Sequence, residues 1–357
     1  MCVSGDAVKV VHLLMGLQPS GLERMLVSAA PYFRAVGVRS TLVSQGAEQP
    51  FASELQAAGY SVVCIPPVKT SSGRRAWASV IRHEQPDVIH IHPEQAFAAA
   101  ILVGHRAAPD ARIVRTVHSY FPATGWWGIK RRLQLALSER HVSATVFLNQ
   151  EMAAHESGYG RSGFVIGNWV DDAFLTSGRS DRPDVDVILV GNCSQVKNHA
   201  VVLAAALQSG WTVAHIGDES ETSDHERGLL EQLGAKGLLT ARGVADPLPW
   251  LARAAVFAMP SLREGFPVSV GEAIAMGCVC VVSEASGLDW ATGYPLVRRA
   301  PGFAQDTWIP ALAEALELAF SVPSDVREGQ RVSARQDLAA ALGVQRYLQV
   351  YRAAPFG

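Results

Sequence analysis

Short apolar runs rich in valine and isoleucine alternate with stretches of helical periodicity along almost the whole chain. Strands that are apolar on both faces are typical of parallel sheets, because helices cover both sides of such a sheet. In the first half, the runs that predict strands lie at 8–14, 40–44, 61–66, 87–92, 112–118, 144–149 and 164–168. In the second half, they lie at 186–191, 211–217, 237–243, 255–261 and 278–283. The alternation predicts an α/β fold with two doubly wound, Rossmann-like domains.

The length of the chain supports this division into domains. It has 357 residues, and a typical domain has about 150. The polar stretch from Thr176 to Pro183 has the serine, glycine and proline content of a linker. We expect one Rossmann-like domain over 1–170, a second over 171–335, and a closing helix within 336–357 that packs back on the first domain.

Composition excludes several classes of protein. A formal charge of −2 gives no global attraction to nucleic acid, and an apolar fraction of 48% excludes large-scale disorder. The start of the chain lacks the features of a secretory signal, and no apolar run approaches the roughly 18 to 20 residues that span a bilayer. The five cysteines show neither zinc-site nor disulfide spacing. We therefore expect a cytoplasmic protein, soluble or peripheral at the inner face of the membrane.

Motifs for dinucleotides, nucleoside triphosphates and metal-bound nucleotides are not supported. The glycines after the first strand, Gly16 and Gly21, fit neither G-x-G-x-x-G nor a P-loop. Asp184 and Asp186 form a D-x-D pair at the entrance to a predicted strand, where solvated strand-edge carboxylates are the better interpretation than metal ligands.

Three histidines could be metal ligands. His90 and His92 fall on one face of a predicted strand, and His118 ends another. No carboxylate or cysteine accompanies them at ligand spacing, and for His90 an ordinary histidine at a strand end is the better interpretation. The sequence predicts no metal site.

The most informative segment covers residues 258–288, AMPSLREGFPVSVGEAIAMGCVCVVSEASGL. It predicts a strand, a loop, a helix and a second strand. Pro267 suits the start of the helix and Gly277 its end. Glu264 then lies in the loop, and Glu272 lies about one and a half turns into the helix.

This arrangement suits a nucleotide sugar. A diphosphate favours the free N–H groups at a helix amino terminus, and Gly265 lets the backbone approach it closely. Glu272 is placed to accept hydrogen bonds from ribose hydroxyls, and Glu264 to accept them from sugar hydroxyls. The alternative interpretation is an amphipathic helix with two solvated glutamates.

The chain resembles the retaining GT-B glycosyltransferases of family four, the group 1 glycosyltransferases, whose Glu-x7-Glu motif matches Glu264 and Glu272. Other segments similar to the family are PSGLERML at 19–26, RTVHSY at 115–120, VIGNWVDDAF at 165–174, VGNCSQVKNH at 190–199 and HIGDES at 215–220. The resemblance covers almost the whole chain. It implies a GT-B fold, in which two Rossmann-like domains face each other across a cleft.

The resemblance also implies a reaction. Family members transfer a sugar from a nucleotide-sugar donor to an acceptor hydroxyl with retention at the anomeric carbon. They use no tightly bound metal and no other cofactor. We therefore expect a role in polysaccharide or glycoconjugate biosynthesis, with a saccharide or a lipid-linked saccharide as the acceptor. A different GT-B enzyme, such as a nucleotide-sugar epimerase, is disfavoured by the Glu-x7-Glu motif.

The resemblance places the site on particular residues. The catalytic candidates are His118, Lys197 and Glu264, and the nucleotide-binding candidates are Ser20, Gly21, Asn192, Lys197, Gly265, Phe266 and Glu272. Lys197 would neutralise the leaving diphosphate, and His118 would contact the donor sugar or hold the reacting region, unless it is only a buried structural histidine. The family usually has an arginine where this chain has Asn192. This difference leaves three alternatives open. Arg263 or Arg242 supplies the missing charge, donor binding is weaker, or the protein binds a nucleotide sugar without efficient turnover.

Two aromatic and basic groups predict contact with a membrane. Trp126–Arg132 combines two tryptophans with three cations, and a second group consists of Lys69, Arg74, Arg75 and Trp77. Indoles favour the bilayer interface and cations favour anionic head groups. The alternative is a buried tryptophan pair beside a solvated basic helix face.

Overall fold

The computed structural model describes residues 7–47, 49–119, 125–158, 160–180 and 182–353. The strands are β1 (Val8–Leu13), β2 (Val38–Gln45), β3 (Ser61–Ile65), β4 (Val88–Ile91), β5 (Arg112–Val117), β6 (Ala144–Phe147), β7 (Phe164–Val165), β8 (Val185–Val190), β9 (Val213–Ile216), β10 (Leu239–Gly243), β11 (Ala254–Met259), β12 (Val279–Val282) and β13 (Val297–Arg299). The α-helices are α1 (Gly21–Ala35), α2 (Ala52–Ala57), α3 (Ser71–Glu84), α4 (Phe97–Ala107), α5 (Gly125–Ser138), α6 (Gln150–Ser157), α7 (Asp172–Thr176), α8 (His199–Ser209), α9 (Asp224–Ala235), α10 (Leu248–Arg253), α11 (Val268–Ala275), α12 (Gln305–Ser321), α13 (Ser324–Asp337) and α14 (Ala340–Arg352).

The chain divides into two compact units. The first extends to Asn168 and also includes the residues from Ala340 onwards, and the second is Trp169–Ala339. The first unit contains a seven-stranded parallel sheet in the order β3-β2-β1-β4-β5-β6-β7, and the second a six-stranded parallel sheet in the order β10-β9-β8-β11-β12-β13. In both sheets the strand order reverses next to the first strand, which is the doubly wound arrangement. The prediction of an α/β fold with two Rossmann-like domains is confirmed.

Burial explains why the apolar runs become strands. Every residue of β4, β6, β9, β11 and β12 is buried, as expected for parallel strands covered on both faces. In β11, Phe257 belongs to one hydrophobic cluster together with Met276, whereas the preceding Val256 belongs to another together with Trp308. Each predicted run overlaps a strand, and the one strand among the described residues that the sequence did not predict is the short β13.

The last helix belongs to the first unit. α14 packs against α1 and carries two buried tyrosines, Tyr347 and Tyr351, towards the first sheet. The hydroxyl of Tyr351 lies 2.9 Å from Nδ1 of His90, and the hydroxyl of Tyr347 lies 3.1 Å from Oγ1 of Thr116. Hydrogen bonds of these buried hydroxyls therefore attach α14 to β4 and β5.

The linker predicted at Thr176 to Pro183 is wrong. The described residues of this stretch lie within the second unit. The guanidinium of Arg179 donates to the carbonyl oxygens of Ala254 and Ala255, and it lies 2.9 Å from Sγ of Cys278. A polar stretch can thus be part of a folded unit when its charged side chain satisfies buried backbone carbonyls. None of the described helices has both the length and the apolar character needed to cross a membrane.

Candidate functional site

The segment around the two motif glutamates folds as the sequence predicts. Strand β11 ends at Met259, a loop follows, and α11 begins after Pro267, which occupies the N-cap position. The helix ends near Gly277, whose φ of +74° is the left-handed conformation that favours glycine after a helix. Glu264 lies in the loop and Glu272 is the fifth residue of α11.

Lys197 and Glu264 form an ion pair in the second unit. Nζ of Lys197 donates a hydrogen bond of 2.7 Å to Oε1 of Glu264, and the hydroxyl of Ser261 donates one of 2.6 Å to the same oxygen. The Lys197 side chain is 26% exposed and that of Glu264 is 10% exposed, so the ammonium faces solvent more than the carboxylate does. The structure thus brings together two predicted catalytic residues that lie far apart in sequence.

A second loop holds the backbone that carries Glu264. The N–H of Glu264 donates a 2.9 Å hydrogen bond to the carbonyl of Ser286. Gly287 has a φ of +85°, and a Cβ at this position would clash with the carbonyl groups of Glu264 and Gly265. Only glycine fits such a close backbone approach with positive φ. The sequence analysis did not identify Gly287, although a Ser-Gly pair after a strand is an ordinary turn signal.

Glu272 and Phe266, two predicted nucleotide-binding residues, have different surroundings. The Glu272 side chain is buried within the second unit. Phe266 stacks in parallel on Trp290, with ring centroids 3.9 Å apart and an interplanar angle of 7°. Trp290 was not identified from the sequence, because it follows the motif on a separate turn and has no periodicity of its own.

The segment between β8 and α8 carries Asn192 and Lys197. Oδ1 of Asn192 accepts a 3.1 Å hydrogen bond from the N–H of Asp218. Asn198 has a φ of +53° and precedes α8, and its amide donates to the carbonyls of Pro260 and Phe303, both at 3.3 Å. The turn that presents Lys197 is therefore held against the end of β11.

The two arginines considered as replacements for the missing family arginine are placed differently. Arg242 donates to both carboxylate oxygens of Glu219, with the shortest contact at 2.8 Å, so a neighbouring anion already balances its charge. Arg263 is exposed in the loop next to Glu264 and forms no ion pair with the described residues. Of the two, Arg263 is the cation that a ligand near Lys197 could recruit.

In the first unit, Ser20 and Gly21 lie at the start of α1. Ser20 is the N-cap residue, and Gly21 is the first helical residue. The Ser20 hydroxyl donates to the carboxylate of Glu23 and caps no backbone N–H. Burial raises the pKa of Glu23 above its usual value, against the opposing effect of the Ser20 hydrogen bond.

His118 belongs to a chain of three histidines at the carboxyl ends of adjacent strands. Nε2 of His118 lies 2.9 Å from Nδ1 of His92, and Nε2 of His92 lies 3.1 Å from Nδ1 of His12. His12 was not identified from the sequence. It joins the others because β1, β4 and β5 are neighbours in the sheet, with His12 in register with His90.

These histidines are neutral at physiological pH. Burial lowers the pKa of His12 to about 3, and burial together with the positive charge of Arg115 lowers the pKa of His118 to about 4. Burial and the neighbouring imidazoles hold the pKa of His90 and His92 well below the usual value. A neutral imidazole has one donor and one acceptor nitrogen, so all hydrogen bonds in the chain must run in one direction.

The contacts favour strand-end histidines over a metal site here. His12, His90 and His92 lie close enough to hold an ion between them. However, both ring nitrogens of His90 have protein partners, Tyr351 and Thr116. Both nitrogens of His92 are likewise engaged, with His12 and His118. The interpretation of His90 made from the sequence agrees with these contacts.

We expect the four histidines with lowered pKa values, His12, His90, His92 and His118, to make the free energy of unfolding depend on pH. The unfolded chain binds protons at these histidines below a pKa of about 6.5, whereas the folded chain does not. The free energy of unfolding is therefore independent of these histidines' protonation above about pH 6.5. It decreases as the pH falls from there towards the lowered pKa values, because only the unfolded chain takes up protons in this range. For His12 the slope in this range is about 1.4 kcal/mol per pH unit.

Urea unfolding at several pH values measures this slope. We expect His12→Gln to have a pH slope about one proton smaller than that of the wild-type protein. His83→Gln is the matched control, since His83 is exposed on α3, and it should leave the slope unchanged. Equal slopes for wild type and His12→Gln would show that His12 does not titrate as its burial requires.

Two predicted membrane contacts are wrong. Trp77 is fully buried and donates from its indole to the carbonyl of Ala100 at 3.1 Å. Arg131 is also buried, and its guanidinium bonds to Glu94 at 3.1 Å and to Glu156 at 2.7 Å. Each side chain is therefore buried and hydrogen-bonded inside the first unit, where it cannot contact a membrane. The side chain of Trp127 lies outside the described residues.

Comparisons with known proteins identify similar sequences and folds. The sequence profile of Glycosyltransferase Family 4 matches residues 19–174, and that of the Glycosyl transferases group 1 matches residues 184–317. Comparison with curated proteins gives no match.

Solved structures share the fold over nearly the whole chain. A glycosyltransferase from Rickettsia africae aligns with a TM-score of 0.79 and 13% identity, covering 98% of both chains. Anabaena HepE in complex with UDP aligns with a TM-score of 0.79 and 17% identity, covering 97% of this chain and all of the other. Sucrose-phosphate synthase from Thermosynechococcus elongatus has a TM-score of 0.76 and 13% identity, covering 97% and 98% of the two chains. The expected GT-B fold is confirmed.

Proposed function

The chain belongs to the family 4, group 1 glycosyltransferases, and from this membership we propose that it transfers a sugar from a nucleotide-sugar donor to an acceptor hydroxyl with retention of anomeric configuration. In this proposal the product belongs to a polysaccharide or a glycoconjugate. Solved structures of HepE contain UDP or UDP-glucose, which makes UDP-sugars the first donors to test.

The ion pair between Lys197 and Glu264 is the observation that supports this proposal most. A lysine ammonium has three N–H donors, and the 2.7 Å bond to Glu264 uses one of them. The other two can contact phosphate oxygens while the carboxylate remains bound. Lys197 can therefore neutralise a diphosphate and at the same time orient Glu264 towards hydroxyl groups of the transferred sugar.

Helix α11 contributes two further interactions in this proposal. Its amino terminus follows Pro267, and the partial positive charge there favours a phosphate near Gly265 and Phe266. Glu272, further along the helix, accepts hydrogen bonds from the ribose. In this proposal, Lys197 and the helix N–H groups neutralise the negative charge of the leaving diphosphate, without a divalent cation bound to it.

The bond changes follow from retention. The bond between the anomeric carbon and the phosphate oxygen breaks, and the acceptor oxygen bonds to the same face of that carbon. The acceptor proton passes to the leaving phosphate. His118 adds no positive charge, because its pKa is lowered to about 4. As a neutral imidazole it can donate or accept one hydrogen bond at a sugar hydroxyl.

A donor screen tests the proposal directly. The purified protein is incubated with UDP-, GDP- and ADP-sugars, and release of nucleoside diphosphate is followed with and without saccharide acceptors. We expect turnover with one donor class and a product with the anomeric configuration of the donor, read by NMR coupling constants. Glu264→Gln should lower turnover, whereas Glu314→Ala, an exposed control on α12, should not. An inverted product would contradict the retaining mechanism.

A second candidate function is a GT-B protein that binds a nucleotide sugar, or supports a partner enzyme, without efficient turnover. Asn192 favours it, because the family usually has an arginine at this position, and Arg242 is already paired with Glu219. Calorimetry with nucleoside diphosphates separates the two functions. Binding without detectable turnover for any donor in the screen would support the second function.

Helix α5 supports peripheral contact with a membrane. Its exposed apolar side chains recur every three or four residues and therefore form one stripe. They are Trp126 (75% exposed), Ile129 (59%), Leu133 (60%) and Leu137 (50%). The buried residues Arg131, Leu135 and Ser138 lie on the opposite face. We propose that the stripe enters the interface of an anionic bilayer, with the exposed Lys130 and Arg132 at its flanks.

Vesicle sedimentation tests this contact. The protein should bind vesicles that contain anionic lipid, and the triple variant Trp126→Ser, Ile129→Ser, Leu133→Ser should bind at least about tenfold more weakly, because it removes three large apolar side chains. Phe320→Ser is the control, since Phe320 is similarly exposed on α12 in the second unit. Equal binding of the triple variant and the control would rule out the stripe as the membrane contact.

A further inference from the structure

Four potential metal ligands converge in the interior of the second unit. They are Cys193, His199, His215 and Glu226, all of them buried, and their ligand atoms all lie within 4.8 Å of one another. They come from four places in the fold: the turn after β8, the first residue of α8, strand β9 and the first turn of α9. No motif spacing predicts this group, because the sheet and its covering helices bring the residues together.

Three of the six separations between the four ligand atoms are close to those of a tetrahedral zinc site, and the other three are within 4.8 Å. Sγ of Cys193 lies 3.4 Å from Nε2 of His215, and that nitrogen lies 3.2 Å from Nδ1 of His199. The same Nδ1 lies 3.5 Å from Oε1 of Glu226. Tetrahedral zinc with its usual bond lengths places a sulfur and a nitrogen about 3.6 Å apart, two nitrogens about 3.3 Å apart, and a nitrogen and an oxygen about 3.4 Å apart. Each of these three separations agrees with the tetrahedral value within about 0.2 Å.

Hydrogen bonds alone do not account for this arrangement. Nε2 of His215 has either one hydrogen or one lone pair, yet it faces both Cys193 and His199. Nδ1 of His215 and Oε1 of Glu226 are buried and have no hydrogen-bond partner among the described residues, although the Glu226 carboxylate as a whole interacts with the Cys193 thiol. Buried polar groups are normally paired, so each such atom requires an explanation. A cation between the four ligand atoms accounts for the orientation of His215 Nε2 and for Glu226 Oε1.

The charge and the chemical type of the four ligands also suit a zinc ion. A thiolate and a carboxylate together balance a divalent cation, and two neutral imidazoles add no charge, so the buried group is neutral overall. Sulfur and imidazole ligands in a tetrahedral arrangement favour zinc over magnesium or calcium, which prefer oxygen. Nδ1 of His215 points towards Glu219 at 3.7 Å, the side where a second carboxylate usually orients a zinc-bound histidine.

We propose that Cys193, His199, His215 and Glu226 bind a structural zinc ion. The bound ion would hold the segment between β8 and α8 in place. Cys193 and His199 lie on either side of Lys197, so a metal bound to both fixes the turn that presents this lysine. The metal itself is enclosed by its four protein ligands and has no open position for a substrate, as in other structural zinc sites.

Metal content of the purified chain is the primary test. Protein prepared with zinc in the medium and then dialysed should contain about one zinc ion per chain. Cys193→Ser and, as a second variant in case the first does not fold, Glu226→Gln should each reduce the zinc content about tenfold or more. Cys64→Ser is the matched control, because Cys64 is an exposed thiol of the first unit, and it should keep the metal.

Cobalt substitution tests the ligands without a variant. Wild-type protein loaded with Co²⁺ should show thiolate-to-cobalt charge-transfer absorption and the intense visible bands of four-coordinate cobalt. Hydrogen exchange of the segment between β8 and α8 should accelerate on chelation. Wild-type protein that retains no zinc and gives no four-coordinate cobalt spectrum would overturn the proposal. Zinc content unchanged in both Cys193→Ser and Glu226→Gln would overturn it as well.

Discussion

Lys197→Ala is expected to lower turnover about 100- to 1,000-fold, the usual effect of removing one group that stabilises developing charge in a transition state. Negative charge on the diphosphate grows as the bond to the sugar breaks, so the ammonium matters most at that moment. The variant also leaves Glu264 without its cation, although Ser261 still donates to the same oxygen. We therefore expect a much larger effect on turnover than on folding.

The measurement compares transfer rate and melting temperature for the same preparations. Lys236→Ala is the matched control, because Lys236 is an exposed lysine at the end of α9. Lys197→Arg keeps the charge and should retain more activity than the alanine variant. If Lys197→Ala folds and turns over at the wild-type rate, another cation neutralises the phosphate, and Arg263→Ala should then show the loss instead.

Glu272→Ala is expected to weaken binding of the nucleoside diphosphate about 10- to 150-fold. This range corresponds to the loss of charge-assisted hydrogen bonds to the ribose, worth roughly 1.5 to 3 kcal/mol. The carboxylate is buried in α11, and a buried carboxylate forms stronger hydrogen bonds than a solvated one does. Isothermal calorimetry with the diphosphate found in the donor screen gives the affinity.

A nucleotide without ribose hydroxyls isolates the proposed contact. For a 2′,3′-dideoxy nucleoside diphosphate, wild type and Glu272→Ala should bind with equal affinity, because no hydroxyl remains to reach the carboxylate. Glu272→Gln keeps the shape of the side chain and reports on packing, together with the melting temperature. An equal loss for the normal and the dideoxy nucleotide would mean that Glu272 acts through the structure of α11 and not on the ribose.

Several features of the fold were predictable from the sequence. Runs of valine and isoleucine formed parallel strands, and five of these strands are buried at every residue, because a strand that is apolar on both faces needs helices on both sides of the sheet. Gly277 ended α11 in a left-handed conformation, as local chain geometry requires. The short β13 was missed, since three residues with two arginines carry no apolar pattern. The polar stretch around Arg179 was misread as a linker, since composition does not reveal hydrogen bonds to distant carbonyls.

The sequence by itself determined the alternation of strands and helices and the local placement of Glu264 and Glu272, because both depend on interactions within a few residues. Tertiary structure alone decided that Lys197 pairs with Glu264, that His12 joins His92 and His118, and that Cys193 lies among two histidines and a glutamate. The physical reason is the order of strands in each sheet and, for the group around Cys193, the packing of helices α8 and α9. Parallel strands place their carboxyl ends side by side whatever their separation along the chain, so these contacts leave no periodicity or spacing in the sequence.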